Sequence, residues 1–82
     1  MTLQEVAEEL AGRMSCQVVP GDNPFEVRVE GKGYHIIVGT FFGGWQATLH
    51  LPDQKPQTWY AEAVEMLEAR LKAKLSGRDA NF

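Results

Sequence analysis

The sequence predicts an α+β domain, a two-layer sandwich of one helix, three or four antiparallel strands and a second helix, with both helices on one face of the sheet. Three observations predict it. Apolar residues recur at helical spacing near both ends of the chain, and they alternate with polar residues through the middle. Turn-forming clusters, "PGDNP", "GKG" and "FFGG", separate the alternating runs. The 82 residues suit one domain, over residues 1–77, with residues 78–82 as a frayed tail.

The first helix follows from "TLQEVAEELAGRM". Thr2 and Glu5 make a capping box, Leu3, Val6, Ala7, Leu10 and Met14 form the apolar stripe, and Gly12 marks the end. "SCQVV" is a short strand candidate, the optional fourth. "FEVRVE" alternates, with Phe25, Val27 and Val29 on one side and Glu26, Arg28 and Glu30 on the other. "YHIIVGT" and "WQATLHL" are the next two strands.

A two-residue loop at Gly31–Lys32 sets Val29 opposite Tyr34 and Arg28 opposite His35. A four-residue loop at Phe41–Gly44 sets Thr40 opposite Trp45 and Ile36 opposite Leu49. Both registers gather the apolar residues on one face, whereas a one-residue slip scatters them. "LPDQKPQ" then delivers the last helix, expected to start between Asp53 and Thr58, since Pro56 is tolerated only in a first turn. Its buried stripe is Tyr60, Val64, Leu67, Leu71 and Leu75, and Ser76–Gly77 stops it.

Composition narrows the function. With eight basic and eleven acidic residues the formal net charge is −3, so no basic stripe is available to neutralise phosphates, and no specific nucleic-acid binding is expected. Cys16 is the sole cysteine, which excludes an intramolecular disulfide and a cysteine-rich zinc site. The opening "MTLQEVAEEL" is acidic where a signal peptide is basic, and no apolar stretch approaches the ~20 residues of a membrane span. A cytoplasmic location without membrane attachment is the expectation.

No motif for catalysis, cofactor or metal binding emerges. Cys16 with His35 or His50 lacks the third group and oxyanion loop of a nucleophilic site. Glu26 and Glu30 flank Arg28 on an open face, where nothing raises a carboxyl pKa. "GKG" lacks the helix that a phosphate loop needs. His35 and His50 fall opposite each other on the outer face with Arg28 beside them, a polar, pH-sensitive patch.

Two likenesses accompany this reading. The order helix–three strands–helix resembles the double-stranded RNA-binding domain over residues 2–76, which implies RNA contacts. The loop here is "GKG" and the helix opens on "PDQKPQTW" with Lys55, in place of that family's histidine-bearing loop and lysine cluster. The passage "ATLHLPDQ…TWYAEAVEMLEARL" resembles HicB-type antitoxins, where hairpin strands lead through a "LP" turn into an acidic helix.

The remaining feature is "FFGGW". Adjacent strand residues point to opposite faces, so Phe41 and Phe42 cannot both enter one core. One is expected to pack and one to be available to a partner, the alternative being that both rings fold over the open end of the small core. The sequence is therefore read as a non-enzymatic protein-binding module, an adaptor, inhibitor or small regulator (a phage-type inhibitor among them). It acts by surface occlusion through Phe41, Phe42, Trp59, Glu62 and Glu65. The alternatives are a nucleic-acid-binding domain and an accessory subunit of an enzyme complex. Partner identity and oligomeric state stay open.

Overall fold

The computed structural model describes residues 2–19 and 23–79. Residue 1, residues 20–22 of the expected turn and residues 80–82 of the expected tail lie outside them. Helix α1 (Leu3–Arg13) is followed by strands β1 (Gln17–Val19), β2 (Glu26–Glu30), β3 (His35–Phe41), β4 (Gly44–His50) and β5 (Gln57–Ala61), then helix α2 (Val64–Asp79). The strands form one antiparallel meander in the order β1-β2-β3-β4-β5. The α+β sandwich holds, with five strands where three or four were expected.

The capping box forms at α1: the Glu5 amide donates to Thr2 Oγ1 at 3.2 Å, and the Thr2 amide donates to Glu5 Oε1 at 2.9 Å. These bonds occupy two of the otherwise unpaired amides of the first turn. The helix runs one residue past Gly12. Its end is set by Ser15, left-handed at φ 57°, with the Cys16 amide reaching Ala11 O at 2.8 Å and the Ser15 amide reaching Gly12 O at 3.5 Å.

Strand β2 begins at Glu26, so Phe25 stays outside the sheet and is 75% exposed instead of lining the core. Asn23 fixes this entry by accepting the Phe25 amide on Oδ1 at 2.8 Å. The β2–β3 register lies two residues from the expected one: Glu30 faces His35, Val29 faces Ile36 and Arg28 faces Ile37. The reason is the turn. Gly33 takes φ +83°, the Gly31 amide bonds Tyr34 O at 3.0 Å, and the Tyr34 ring covers Gly31 so closely that a Cβ there would sit 2.3 Å from it. Tyr34 is drawn toward Cys16 and does not pair with Val29.

The β3–β4 register matches the expected one, with Thr40 facing Trp45 and Ile36 facing Leu49. One further pair, Phe41 with Gly44, shortens the loop to Phe42–Gly43. The larger departure is β5. Residues 57–61 pair with β4, placing Trp59 opposite Ala47 and Tyr60 opposite Gln46, and the helix begins only at Val64. Pro56 closes off the strand on its N-terminal side, and Thr58, Trp59 and Tyr60 are good strand formers. Tyr60 thus belongs to the sheet and not to the helical stripe. Helix α2 continues through Ser76 and Gly77 to Asp79.

This fifth strand separates the chain from both likenesses. The order is helix–five strands–helix, and the "LP" turn leads into a strand before any helix.

The core lies between the sheet and the helices. Val6, Leu10, Val29, Ile36, Val38, Ala47, Leu67 and Leu71 are fully buried, and no buried polar residue interrupts them among the described residues. Helix α1 packs on β1, β2 and β3, and α2 on β4 and β5. Arg13 links the two helices, donating to Glu68 at 3.0 Å and to Glu65 at 3.2 Å, while Lys72 holds Glu68 at 2.7 Å. Lys72 and Arg13 together keep the Glu68 carboxyl below its ordinary range.

Candidate functional site

The helices cover one face of the sheet, and strand alternation assigns the other to side chains turned away from them. At one end of that outer face Phe41 and Tyr60 meet, their ring centroids 4.3 Å apart, and Phe42 stands edge-on to Phe41 at 4.7 Å. The three rings border a shallow depression of about 220 Å³ that Trp45, Ala61 and Glu62 also line.

The two phenylalanines differ sharply in exposure: Phe41 is 40% exposed and Phe42 is 96% exposed. Phe42 also carries φ +41°, followed by Gly43 at +83°, which is the conformation of a two-residue type I′ hairpin turn. Asn, Asp or Gly normally occupies the first position of such a turn, because a bulky residue is strained in the left-handed region. An exposed aromatic is therefore held at a position that local energetics disfavours.

Trp59, expected one step off a helical stripe, is on β5, half-buried against the core on the helix side. Glu62 is exposed beside the aromatic corner, and Glu65 is engaged by Arg13. Tyr60 was missed as an outward residue. The alternation of "QTWYA" was the available signal, masked by its helical spacing from Val64 and Leu67.

At the opposite end of the outer face His35 and His50 are cross-strand partners, stacked with centroids 4.5 Å apart and planes 9° from parallel. Glu30, not Arg28, completes this row on β2. Arg28 faces Ile37 and donates to Glu30 at 3.0 Å. Partial burial, Arg28 and His50 together push the His35 pKa down. Nearby, Cys16 Sγ lies 3.1 Å from the Tyr34 hydroxyl, and burial together with this contact pushes the Tyr34 phenol up to about 12. No group of three metal-ligating side chains occurs among the described residues. No helix among them is long and apolar enough to cross a membrane.

These shifts predict how stability follows pH. His35 sits below its ordinary 6.5, so the folded chain binds fewer protons than the unfolded chain as pH drops past that value. Its contribution is full above 6.5 and is lost as pH falls through the lower folded value. Glu68 and Glu5, both below their ordinary 4.5, add a second loss at more acid pH with the same sign. Urea midpoints should therefore fall in two stages on acidification. His50→Gln should move the His35 titration, followed by NMR, back toward its ordinary value. A His35 titrating at or above 6.5 in the parent chain would contradict this lowering and the first stage of acid loss.

The chain matches no family model, no curated protein and no solved structure.

Proposed function

We propose that the chain is a non-enzymatic protein-binding module, an adaptor, inhibitor or small regulator that occludes a partner's surface, with the corner formed by Phe42, Phe41 and Tyr60 as its anchor. The observation that carries this reading is Phe42, almost wholly exposed and held at positive φ where asparagine or glycine would be more stable. Clustered exposed aromatics of this kind supply much of the energy of protein interfaces. Glu62 beside the corner and the net charge of −3 favour a partner whose apolar groove has a basic rim.

Phe42→Asn separates anchor from scaffold. Relief of the strained turn, offset by loss of the edge-on contact with Phe41, should stabilise the fold by about 0.5–1 kcal/mol. Partner capture should nevertheless fall. The direct measurement is a photo-crosslinking residue at position 42, with captured proteins identified by mass spectrometry and competed by parent chain or by Phe42→Asn. If the variant competes as well as the parent, Phe42 is not an anchor.

Nucleic acid is the second reading, because Phe41, Tyr60 and the histidine pair place rings on the sheet face, where bases could stack. The charges on β2 of that face, Glu26 and Glu30 against Arg28, oppose it. Saturable micromolar binding of single-stranded RNA or DNA at physiological salt would reverse the preference.

A further inference from the structure

We propose that the depression beside Phe42 seats an arginine side chain of a protein partner, its guanidinium lying against the Tyr60 and Phe41 rings and donating to the Glu62 carboxylate. The inference rests on the protein-binding reading and names the chemistry that this corner takes. Phe42 enters the partner's groove, and an arginine on the rim of that groove returns into the hollow.

The walls of the hollow point to a cation. Phe42 stands at 80° to Phe41, and Tyr60 is tilted from Phe41 by 41°, so the rings bound a concave space and do not form one flat stack. Phe41 and Tyr60 both keep exposed ring surface. Each aromatic face carries the negative part of the ring quadrupole, which attracts positive charge. Glu62 adds a full negative charge at the rim, exposed and without an ion pair among the described residues. None of the residues lining the hollow is basic.

Other occupants are disfavoured. An apolar side chain covering the hollow would strip water from Glu62 and leave its carboxylate without a partner, a cost that only a donor offsets. The volume of about 220 Å³ falls below the roughly 300–1,000 Å³ of small-molecule pockets and suits the end of one side chain. Among cationic side chains arginine fits best. Its guanidinium is planar and weakly hydrated, so its face stacks on a ring while its edge donates N–H bonds to a carboxylate. The lysine ammonium is strongly hydrated, and a shallow hollow removes little of that water.

The test is an NMR titration of the full chain with N-acetyl-arginine amide, N-acetyl-lysine amide and N-acetyl-citrulline amide at constant ionic strength. Citrulline has the shape of arginine without its charge. The arginine probe should shift the amides of residues 41–45 and the Tyr60 ring. It should bind about three- to tenfold more tightly than the citrulline probe and about two- to threefold more tightly than the lysine probe. Glu62→Gln should weaken the arginine probe about three- to fivefold and leave the citrulline probe unchanged. Tyr60→Leu should weaken the arginine probe by about the same factor, and circular dichroism checks that both variants are folded. The proposal is overturned if arginine and citrulline bind alike, if lysine binds more tightly than arginine, or if Glu62→Gln has no effect. It is equally overturned if the arginine probe gives no saturable shift up to its solubility limit, or shifts only residues around other carboxylates such as Glu26 and Glu65. The protein-binding reading fails separately, when Phe42→Asn competes for captured partners as well as the parent chain does.

Discussion

Alanine at Leu67 should remove about 2–5 kcal/mol of stability, the range for deleting a buried leucine side chain where the surroundings cannot collapse. Leu67 is fully buried in a core that also holds Leu10, Ile36 and Leu71, so α1, α2 and the sheet all border the void. Small domains have little to spare, since native stability runs at roughly 0.05–0.15 kcal/mol per residue. For a chain of 82 residues such a loss is a large part of the total, and partial unfolding at ambient temperature is expected. Urea denaturation monitored by the two tryptophans measures it. A loss below about 1 kcal/mol would mean that α2 does not close this core. Met66, one residue away and 54% exposed, is the control: its alanine variant should be close to neutral.

The second large effect is expected at Gly44, the first residue of β4. A Cβ built there lies 2.8 Å from the carbonyl oxygen of Ala61. That obstacle is backbone, so no side-chain rotation relieves it. Strand β5 would have to swing away from β4 at the end where the aromatic corner forms. Gly44→Ala should therefore cost roughly 1–3 kcal/mol, as overpacking does, and should disturb Tyr60 as well. Thermal melts together with the chemical shifts of residues 60–62 report both effects. Gly12 provides the contrast, since a Cβ there meets nothing within 4 Å. Inside the last turn of α1, alanine should stabilise by about 0.5–1 kcal/mol. Equal behaviour of the two alanine variants would refute the close approach of β4 and β5.

These sites also mark how far the sequence could be read. The alternation in "FEVRVE" and "WQATLHL" assigns the faces of β2 and β4, and hydrophobic pairing selects the β3–β4 register, because a one-residue slip turns every side chain over. A two-residue slip leaves each face unchanged. The hydrophobic pattern is therefore blind to it, and the β2–β3 register was decided instead by Tyr34 folding over Gly31. Strand β5 was hidden differently. Tyr60, Val64 and Leu67 fall at helical spacing by coincidence, and Pro56 is as compatible with a helix start as with a strand start. Pairing with β4, a non-local contact, settles the segment as strand.

The candidate site divides along the same line. Phe41 and Phe42 stand out because adjacent aromatics cannot share a face, and His35 with His50 because their register was accessible. Tyr60 joins the corner only through β5, and the carboxylate of Glu30 replaces Arg28 opposite His35 only through the slipped register.

The meander has a consequence for how quickly the chain finds this structure. Every strand pairs with its neighbour in sequence, so the sheet grows by successive short hairpin closures, each with a small entropy cost. The contact between the helices is different, since Arg13 and Glu68 lie 55 residues apart. Such a link forms after the loops it spans have been closed by other means. The Arg13 pairs are thus expected to act as a late latch, and Arg13→Ala should raise the unfolding rate while leaving the folding rate nearly unchanged in stopped-flow measurements.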